Sequence, residues 1–223
     1  MAGAFITFEG IDGCGKSTQL RLLAAELRGR GMRVVTTREP GGTPLGQKLR
    51  AALLDVQEQV DPLAELLVFA ADRAQHVRKQ LLPAIKGNEI VLSDRYADAT
   101  VAYQGAGRGF DPKLIEEIVQ LATDGLKPDL TLLFDLSVEE SAVRTRRRVA
   151  SKRTDRLDIE ARDFHARVRD AYIEIAKSEP ERFRVIDARG SVDETQRKVM
   201  DIVIPFLQER GLLRDEQRAK GEA

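Results

Sequence analysis

Cysteine is almost absent from this sequence, since Cys14 is the single one in 223 residues. A lone cysteine can form neither an internal disulfide nor a cysteine metal cluster, which excludes a disulfide framework. Cys14 lies among glycines, where a small residue fits a tight turn. A redox role is therefore not expected.

An excess of charge of one sign is also absent, because 36 Lys and Arg balance 36 Asp and Glu. Proteins that coat nucleic acid or anionic membranes carry a basic surplus, so neither partner is expected and any polyanion site must be local. No apolar run is long enough to span a bilayer, and no basic and apolar leader opens the chain. We therefore expect a cytoplasmic protein.

Internal repeats and low-complexity linkers are absent too, and a chain of this length with 42% hydrophobic residues can bury one core. We predict a single domain over residues 1–213. The charged segment 214–223 has no apolar stripe and is expected to fray.

What the sequence does contain is a regular alternation of strand and helix patterns. Helical periodicity, for example at 45–54 and 62–85, separates five strand-like segments: 4–8, 33–37, 89–93, 130–134 and 183–186. The alternation predicts an α/β fold of three layers, in which helices cover both faces of a parallel five-stranded sheet.

A glycine-rich loop follows the first predicted strand. Residues 10–17 read Gly-Ile-Asp-Gly-Cys-Gly-Lys-Ser and match G-x-x-x-x-G-K-[ST] at every fixed position. Backbone N–H groups of such a P-loop face phosphates, and the next helix adds its positive dipole. We predict a P-loop NTPase fold, with Lys16 at the β- and γ-phosphates and Ser17 on Mg²⁺. The predicted ATP-binding residues are Gly10, Ile11, Asp12, Gly13, Cys14, Gly15, Lys16, Ser17 and Thr18.

A P-loop alone does not separate kinases from GTPases and motors. The sequence lacks an Asn-Lys-x-Asp guanine reader, which disfavours a signalling GTPase, and no strand ends in the adjacent acids usual in motor ATPases. The third strand ends instead in Asp94 and Arg95. At the carboxyl edge of a parallel sheet, Asp94 can hold the metal through water while Arg95 grips a second phosphate. Two phosphate sites imply a donor and an acceptor.

Four further motifs in this order resemble the thymidylate kinase family. They are Arg-Glu-Pro-Gly-Gly-Thr at 38–43, Asp-Arg-Tyr at 94–96, Thr-Val-Ala-Tyr-Gln-Gly at 100–105 and Gly-Arg-Gly at 107–109. The resemblance covers about residues 5–205. It implies transfer of the γ-phosphoryl group of ATP to dTMP, giving dTDP for dTTP synthesis, with Mg²⁺ as cofactor and a homodimeric enzyme.

The same resemblance assigns an acceptor site. Phe69 and Arg73, one helical turn apart, would stack on and hydrogen-bond thymine; Thr100 and Gln104 would face the base, and Tyr103 would pack near the deoxyribose. Phe69 and Tyr103 could also be ordinary core aromatics. Asp12 would meet the sugar 3′-hydroxyl. The residues implied to bind dTMP are Asp12, Glu39, Pro40, Phe69, Arg73, Arg95, Thr100, Tyr103 and Gln104.

A short basic stretch is the local polyanion site that the neutral chain requires, and it overlaps a lid expected at about 146–160. Its cations are Arg144, Arg146, Arg147, Arg148, Lys152, Arg153 and Arg156. An arginine delivered by a closing lid would stabilise charge on the transferred phosphoryl group, as the bacterial-like type of the family implies. A solvated helix face or a nucleic-acid patch is the alternative. The residues expected to act in catalysis are Lys16, Arg95, Arg153, Arg156 and Arg148.

Two other functions remain open at this point. A deoxynucleoside (thymidine) kinase shares the P-loop core and needs a carboxylate base, and Glu39 follows the second strand where that base would lie. A catalytically silent ATP-binding module would be expected to have lost Lys16 or Asp94, and both are intact. His76 and His165 have charged neighbours and are not expected to take part.

Arg153→Ala should lower kcat by about 10²-fold or more with little change in dTMP affinity, because a charge-stabilising group acts mainly in the transition state. Steady-state kinetics with ATP, Mg²⁺ and dTMP measures both quantities. An unchanged kcat would move the role to Arg148 or Arg156.

Overall fold

The computed structural model describes residues 3–55, 59–149 and 162–213. The first half contains β1 (Ala4–Glu9), α1 (Lys16–Gly29), β2 (Val34–Arg38), α2 (Pro44–Leu54), α3 (Pro62–His76), a π-helical segment (Val77–Leu81), α4 (Leu82–Lys86) and β3 (Ile90–Asp94). The second half contains α5 (Ala97–Thr100), a second π-helical segment (Val101–Gly107), α6 (Pro112–Thr123), β4 (Leu130–Asp135), α7 (Val138–Val149), α8 (Arg162–Ser178), β5 (Phe183–Asp187) and α9 (Val192–Glu209).

The five strands form one parallel sheet in the order β2-β3-β1-β4-β5. The predicted α/β fold with its five parallel strands is confirmed, and each strand begins within one residue of its predicted start. Because β1 and β3 are neighbours, the loops after their carboxyl ends meet. The P-loop and Arg95 are therefore brought to the same edge of the sheet. None of the helices in the described ranges has the length and apolar character that a membrane crossing requires.

The single helix predicted over 62–85 needs correction, because a π-helical segment separates α3 from α4. The N–H of Leu82 bonds to the carbonyl of Val77, five residues back. Pro83 follows at the start of α4 and has no N–H to offer. A proline inside a helix removes one backbone hydrogen bond and collides with the carbonyl four residues back, so the chain widens locally.

Strand β1 alternates strictly between the two faces of the sheet. Ile6 and Phe8 pack into the core with α1 and α9, whereas Phe5 packs on the other face against the first π-helical segment. Thr7 and Glu9 point to the same face as Phe5, as the two-residue period of a strand requires. Both are fully buried, so this face carries polar groups inside the protein.

A buried ion pair lies on that polar side. Arg182 donates to the two carboxylate oxygens of Asp98 at 2.8 and 2.7 Å and to the Thr131 hydroxyl at 2.9 Å. The Thr131 hydroxyl also lies 2.9 Å from that of Thr7. Asp98 is 4% exposed, so its charge depends on Arg182 for compensation.

Arg182→Met should destabilise the protein by about 3 kcal/mol, because it leaves the buried Asp98 carboxylate without its cation. Urea unfolding measures this change. Arg184→Met is the matched control, since Arg184 is exposed on β5 and donates to backbone carbonyls. The control should stay within about 0.5 kcal/mol of the wild type. Equal losses in the two variants would contradict the prediction.

Candidate active site

A cavity of about 770 Å³ opens at the carboxyl edge of the sheet. This volume suits a small-molecule site. Most of the predicted donor and acceptor residues line it together: Asp12, Gly13, Gly15, Lys16, Ser17, Thr18, Glu39, Pro40, Phe69, Arg73, Asp94, Arg95, Thr100, Tyr103 and Gln104. Ile11 and Cys14, which were also predicted to bind ATP, are each 2% exposed, and their side chains pack in the core. Gly10, the first glycine of the loop, is buried and does not line the cavity.

The P-loop is held tightly against α7. Gly13 has φ 78°, and a Cβ there would lie 2.7 Å from the Thr145 hydroxyl and 2.8 Å from the Ser141 carbonyl. The Ser141 hydroxyl also donates to the backbone carbonyl of Asp12. Glycine at this position thus meets both a left-handed backbone and a close approach. The loop is fixed before any nucleotide arrives.

Lys16 lies at the start of α1 and is 6% exposed. Its ammonium donates to the carbonyls of Gly10 at 2.9 Å and Ile11 at 3.0 Å, within its own loop. A phosphate anion at the helix N-terminus would attract this ammonium away from the carbonyls. The Lys16 ammonium therefore already lies beside the site predicted for the triphosphate.

Ser17 and Asp94 meet at the cavity, where the Ser17 hydroxyl donates to the Asp94 carboxylate. They come from the first turn of α1 and the last residue of β3. Mg²⁺ prefers oxygen ligands and is usually held by one or two protein groups together with substrate phosphates. The pair fits such an ion.

Arg95 connects the P-loop to the acceptor side of the cavity. Its Nη2 donates to Asp12 at 2.9 Å and to the Tyr103 hydroxyl at 2.8 Å, and its Nη1 donates to the Tyr172 hydroxyl at 3.2 Å. The Arg95 backbone has φ 74°, an uncommon value for a residue with a side chain. This strain is concentrated at the centre of the site, as functional sites often show.

Asp12 is held as a carboxylate. Burial alone would raise the pKa of Asp12, but the charges of Arg95 and Lys16 and the hydrogen bonds from Arg95 and Tyr103 lower it below its usual range. The Tyr103 hydroxyl lies 3.1 Å from the second oxygen. Asp12 can therefore accept hydrogen bonds at neutral pH.

Glu9 is a site residue that the sequence analysis missed. It ends β1, and its carboxylate oxygens accept from the backbone N–H of Tyr96 and from the Tyr172 hydroxyl, both at 2.7 Å. Burial, and then the charge of Asp98, raises the pKa of Glu9 to about 8. Because Tyr96 follows Arg95 and Tyr172 contacts its guanidinium, Glu9 braces Arg95 from two directions.

Glu39 forms a second buried polar cluster with Arg73 and His76. Its two oxygens accept from Arg73 Nε and contact His76 Nδ1, each at 2.8 Å. Burial alone would raise the pKa of Glu39, but Arg73 and His76 lower it below its usual value. His76 is fully buried and supports Glu39 from behind, with its other nitrogen 2.7 Å from the Thr37 hydroxyl.

The residues predicted to contact the base and the deoxyribose line one side of the cavity, which we call the acceptor wall: Phe69, Arg73, Thr100, Tyr103 and Gln104. Arg73 anchors it, because Nη1 donates to the Thr100 hydroxyl at 2.8 Å and Nη2 to the Tyr96 carbonyl at 3.0 Å. Phe69 is half-buried beside it on α3. A planar ring and a guanidinium thus face the cavity from one helix.

Four further cations line the cavity: Arg21, Arg38, Arg50 and Arg144. Of these, Arg144 belongs to the basic stretch that the sequence marks as a polyanion site. Arg38 opens the Arg-Glu-Pro-Gly-Gly-Thr motif, and Arg50 donates to the carbonyl of Pro40 at 3.1 Å. Arg21 and Arg50 have no local signal in the sequence, because their positions at the cavity follow from tertiary packing. Arg153 and Arg156 lie outside the described residues, as does the side chain of Arg148.

This arrangement defines an ATP-dependent phosphotransferase of the P-loop class, with a donor loop and an acceptor wall sharing one cavity. The family model described as thymidylate kinase matches residues 8–199. A thymidylate kinase from Geotalea uraniireducens is 48% identical, covering 93% of this chain and 99% of that protein. One from Leifsonia xyli subsp. xyli is 51% identical over 86% of this chain and 90% of that protein.

A solved structure supports the same assignment. The crystal structure of thymidylate kinase from Ehrlichia chaffeensis superposes with a TM-score of 0.73 at 37% identity, covering 91% of this chain and 99% of that one. The chain belongs to the thymidylate kinase family, and the resemblance found in its motifs is confirmed.

Glu9→Gln should change how stability depends on pH. A pKa of about 8 in the folded protein, against 4.5 ordinarily, means that the native state binds the proton more tightly than the unfolded chain. Stability is therefore lost as pH rises from about 5 through about 8. Glutamine cannot ionise, so the variant should gain roughly 3 kcal/mol relative to wild type between about pH 5.5 and 8.5.

Urea unfolding at several pH values measures this difference. Glu174→Gln is the control, because it removes an exposed carboxylate paired with Lys177 and should follow the wild-type pH dependence. Parallel curves for wild type and Glu9→Gln would contradict the pKa assigned to Glu9.

Proposed function

We propose that this enzyme transfers the γ-phosphoryl group of ATP to dTMP and produces ADP and dTDP for dTTP synthesis. One observation carries the proposal: Arg95 Nη2 contacts Asp12 of the P-loop and Tyr103 of the acceptor wall within a single cavity. Phosphoryl transfer requires donor and acceptor to approach in line, so a cation common to both sites is what the reaction needs.

On the donor side, backbone N–H groups of the P-loop would hold the triphosphate, and Lys16 would leave its loop carbonyls for the β- and γ-phosphates. Ser17 would bind Mg²⁺ directly and Asp94 through water. When bound, Mg²⁺ neutralises charge on the phosphates. The contact between Ser17 and Asp94 supports this pairing.

On the acceptor side, Phe69 would stack on the thymine while Arg73, Thr100 and Gln104 address its polar edge. Tyr103 would pack against the deoxyribose where a 2′-hydroxyl would project. The fixed hydrogen bond between Arg73 and Thr100 supports a preorganised base site. Preorganisation reduces the entropy lost when the nucleotide binds.

Arg95 would grip the phosphate of dTMP, and the ionised Asp12 would accept a hydrogen bond from the 3′-hydroxyl. Glu39 and Pro40 would shape the pocket around the acceptor phosphate. The lowered pKa of Asp12 supports its role as an acceptor. The single loop would then contact both substrates.

Charge on the moving phosphoryl group would be stabilised by the basic segment at about 146–160, with Arg153, Arg156 and Arg148 as the candidate residues. An arginine brought by a closing lid also excludes water from the reaction. This role remains a prediction from the sequence, as does the lid itself.

The geometry of Glu39 disfavours a deoxynucleoside kinase. A hydroxyl acceptor needs a carboxylate base, yet both oxygens of Glu39 are engaged by Arg73 and His76, which also lower its pKa. A weakly basic, fully engaged carboxylate is a poor proton acceptor. A phosphate acceptor is already anionic near neutral pH and needs only positioning and charge neutralisation.

The homodimer implied by the resemblance is also part of this proposal. Neighbouring helices α2, α3 and α6 carry exposed leucines: Leu45, Leu63, Leu67, Leu114 and Leu121, between 37% and 78% exposed. Large apolar patches on a protein surface commonly mark interaction sites. The cytoplasmic location stays a prediction.

Purified protein with ATP and Mg²⁺ should consume dTMP and leave thymidine untouched, because the cavity offers cations for an acceptor phosphate, whereas Arg73 and His76 engage Glu39, the carboxylate that would have to act as base for a hydroxyl. A coupled assay of ADP formation with each acceptor measures this. Turnover of thymidine without turnover of dTMP would overturn the assignment. Tight ATP binding without transfer to any monophosphate would indicate a silent module instead.

A further inference from the structure

Glu65 is a buried acid for which the proposed reaction has no role. It lies in the first turn of α3 and is 0% exposed. One of its oxygens accepts from Gln104 Nε2 at 2.8 Å. Arg108 grips the same carboxylate with Nε at 3.1 Å and Nη2 at 3.0 Å. A charge buried this completely requires a specific reason.

The contact with Glu65 fixes the orientation of the Gln104 side-chain amide. A carboxylate can only accept hydrogen bonds, so the NH₂ group of Gln104 must turn toward Glu65. The carbonyl oxygen, at the other end of the amide, is then what Gln104 can offer to a ligand. Arg108 holds the carboxylate in place and itself lies over the Phe164 ring, 4.6 Å from its centroid.

Arg73 presents the opposite polarity on the same acceptor wall. A guanidinium only donates, and Nη1 and Nη2 each carry a second N–H besides those given to Thr100 and Tyr96. The base site therefore displays a donor from Arg73 and an acceptor from Gln104. Both side chains line the cavity beside Phe69.

We propose that Glu65, held by Arg108, is a positioning residue that sets the polarity of the Gln104 amide and thereby selects a base with an N–H donor next to a carbonyl acceptor. The N3–H and O4 of thymine present this pair. Cytosine presents the reverse, an acceptor at N3 and an amino donor at C4. The inference rests on the proposed function, because it concerns how the same site recognises dTMP.

Glu65→Gln tests the mechanism, because a glutamine at 65 can accept or donate and so permits either orientation of the Gln104 amide. Dissociation constants for dTMP and dCMP, measured by calorimetry, should show the dTMP preference falling about tenfold, the ratio that one hydrogen bond supplies. The KM for dTMP should rise while kcat is retained, because the base is held alike in the ground and transition states.

A double-mutant cycle shows whether Glu65 acts through Gln104. In a Gln104→Met background, Glu65→Gln should leave the dTMP/dCMP ratio unchanged, since there is no amide to orient. Asp98→Asn is the matched control, because it neutralises another buried acid paired with arginine, whose carboxylate bonds to Arg182 and does not line the cavity. It should keep the wild-type ratio.

An unchanged dTMP/dCMP ratio in Glu65→Gln, or an equal fall in Asp98→Asn, overturns the inference. If Glu65→Gln does not fold by circular dichroism, Arg108→Lys takes its place: a fall in the ratio supports the inference and an unchanged ratio overturns it. Failure of the wild type to bind or turn over dTMP would overturn the proposed function itself, which separates the two outcomes.

Discussion

The arrangement of this site depends on one largely buried guanidinium, that of Arg95. It contacts Asp12, Tyr103 and Tyr172, so the P-loop, the second π-helical segment and α8 all converge on one cation. A buried charge must be matched by partners, and these partners are drawn from elements distant in the chain. The strained backbone of Arg95 is stabilised by the same contacts, because Glu9 holds both the next peptide and Tyr172.

Two acids beside this cation show how environment divides chemical roles. The positive charges of Arg95 and Lys16 lower the pKa of Asp12. Burial, together with the negative charge of Asp98, raises the pKa of Glu9 to about 8. The first is suited to meet a substrate as an anion. The second is suited to hold structure as a neutral acid. Sequence position alone, three residues apart, does not distinguish them.

The sequence predicted the strands, most helices and the P-loop, because each has a local pattern of period two, period 3.6 or fixed glycines. It did not predict Glu9, Glu65 or His76 as part of the site. Their roles come from partners far along the chain: Glu9 meets Tyr172 across 163 residues and Glu65 meets Gln104 across 39. The π-helical segments were also missed, since their register follows from packing and from Pro83.

The alternation along β1 has a consequence for how this chain can vary. Phe8 belongs to the core beneath α1, while Glu9 belongs to the network that braces Arg95. Inserting or deleting one residue in β1 would exchange these two surfaces, placing a carboxylate against α1 and an aromatic ring against Tyr172. The strand that precedes the P-loop should therefore tolerate substitution by similar residues but no change in length.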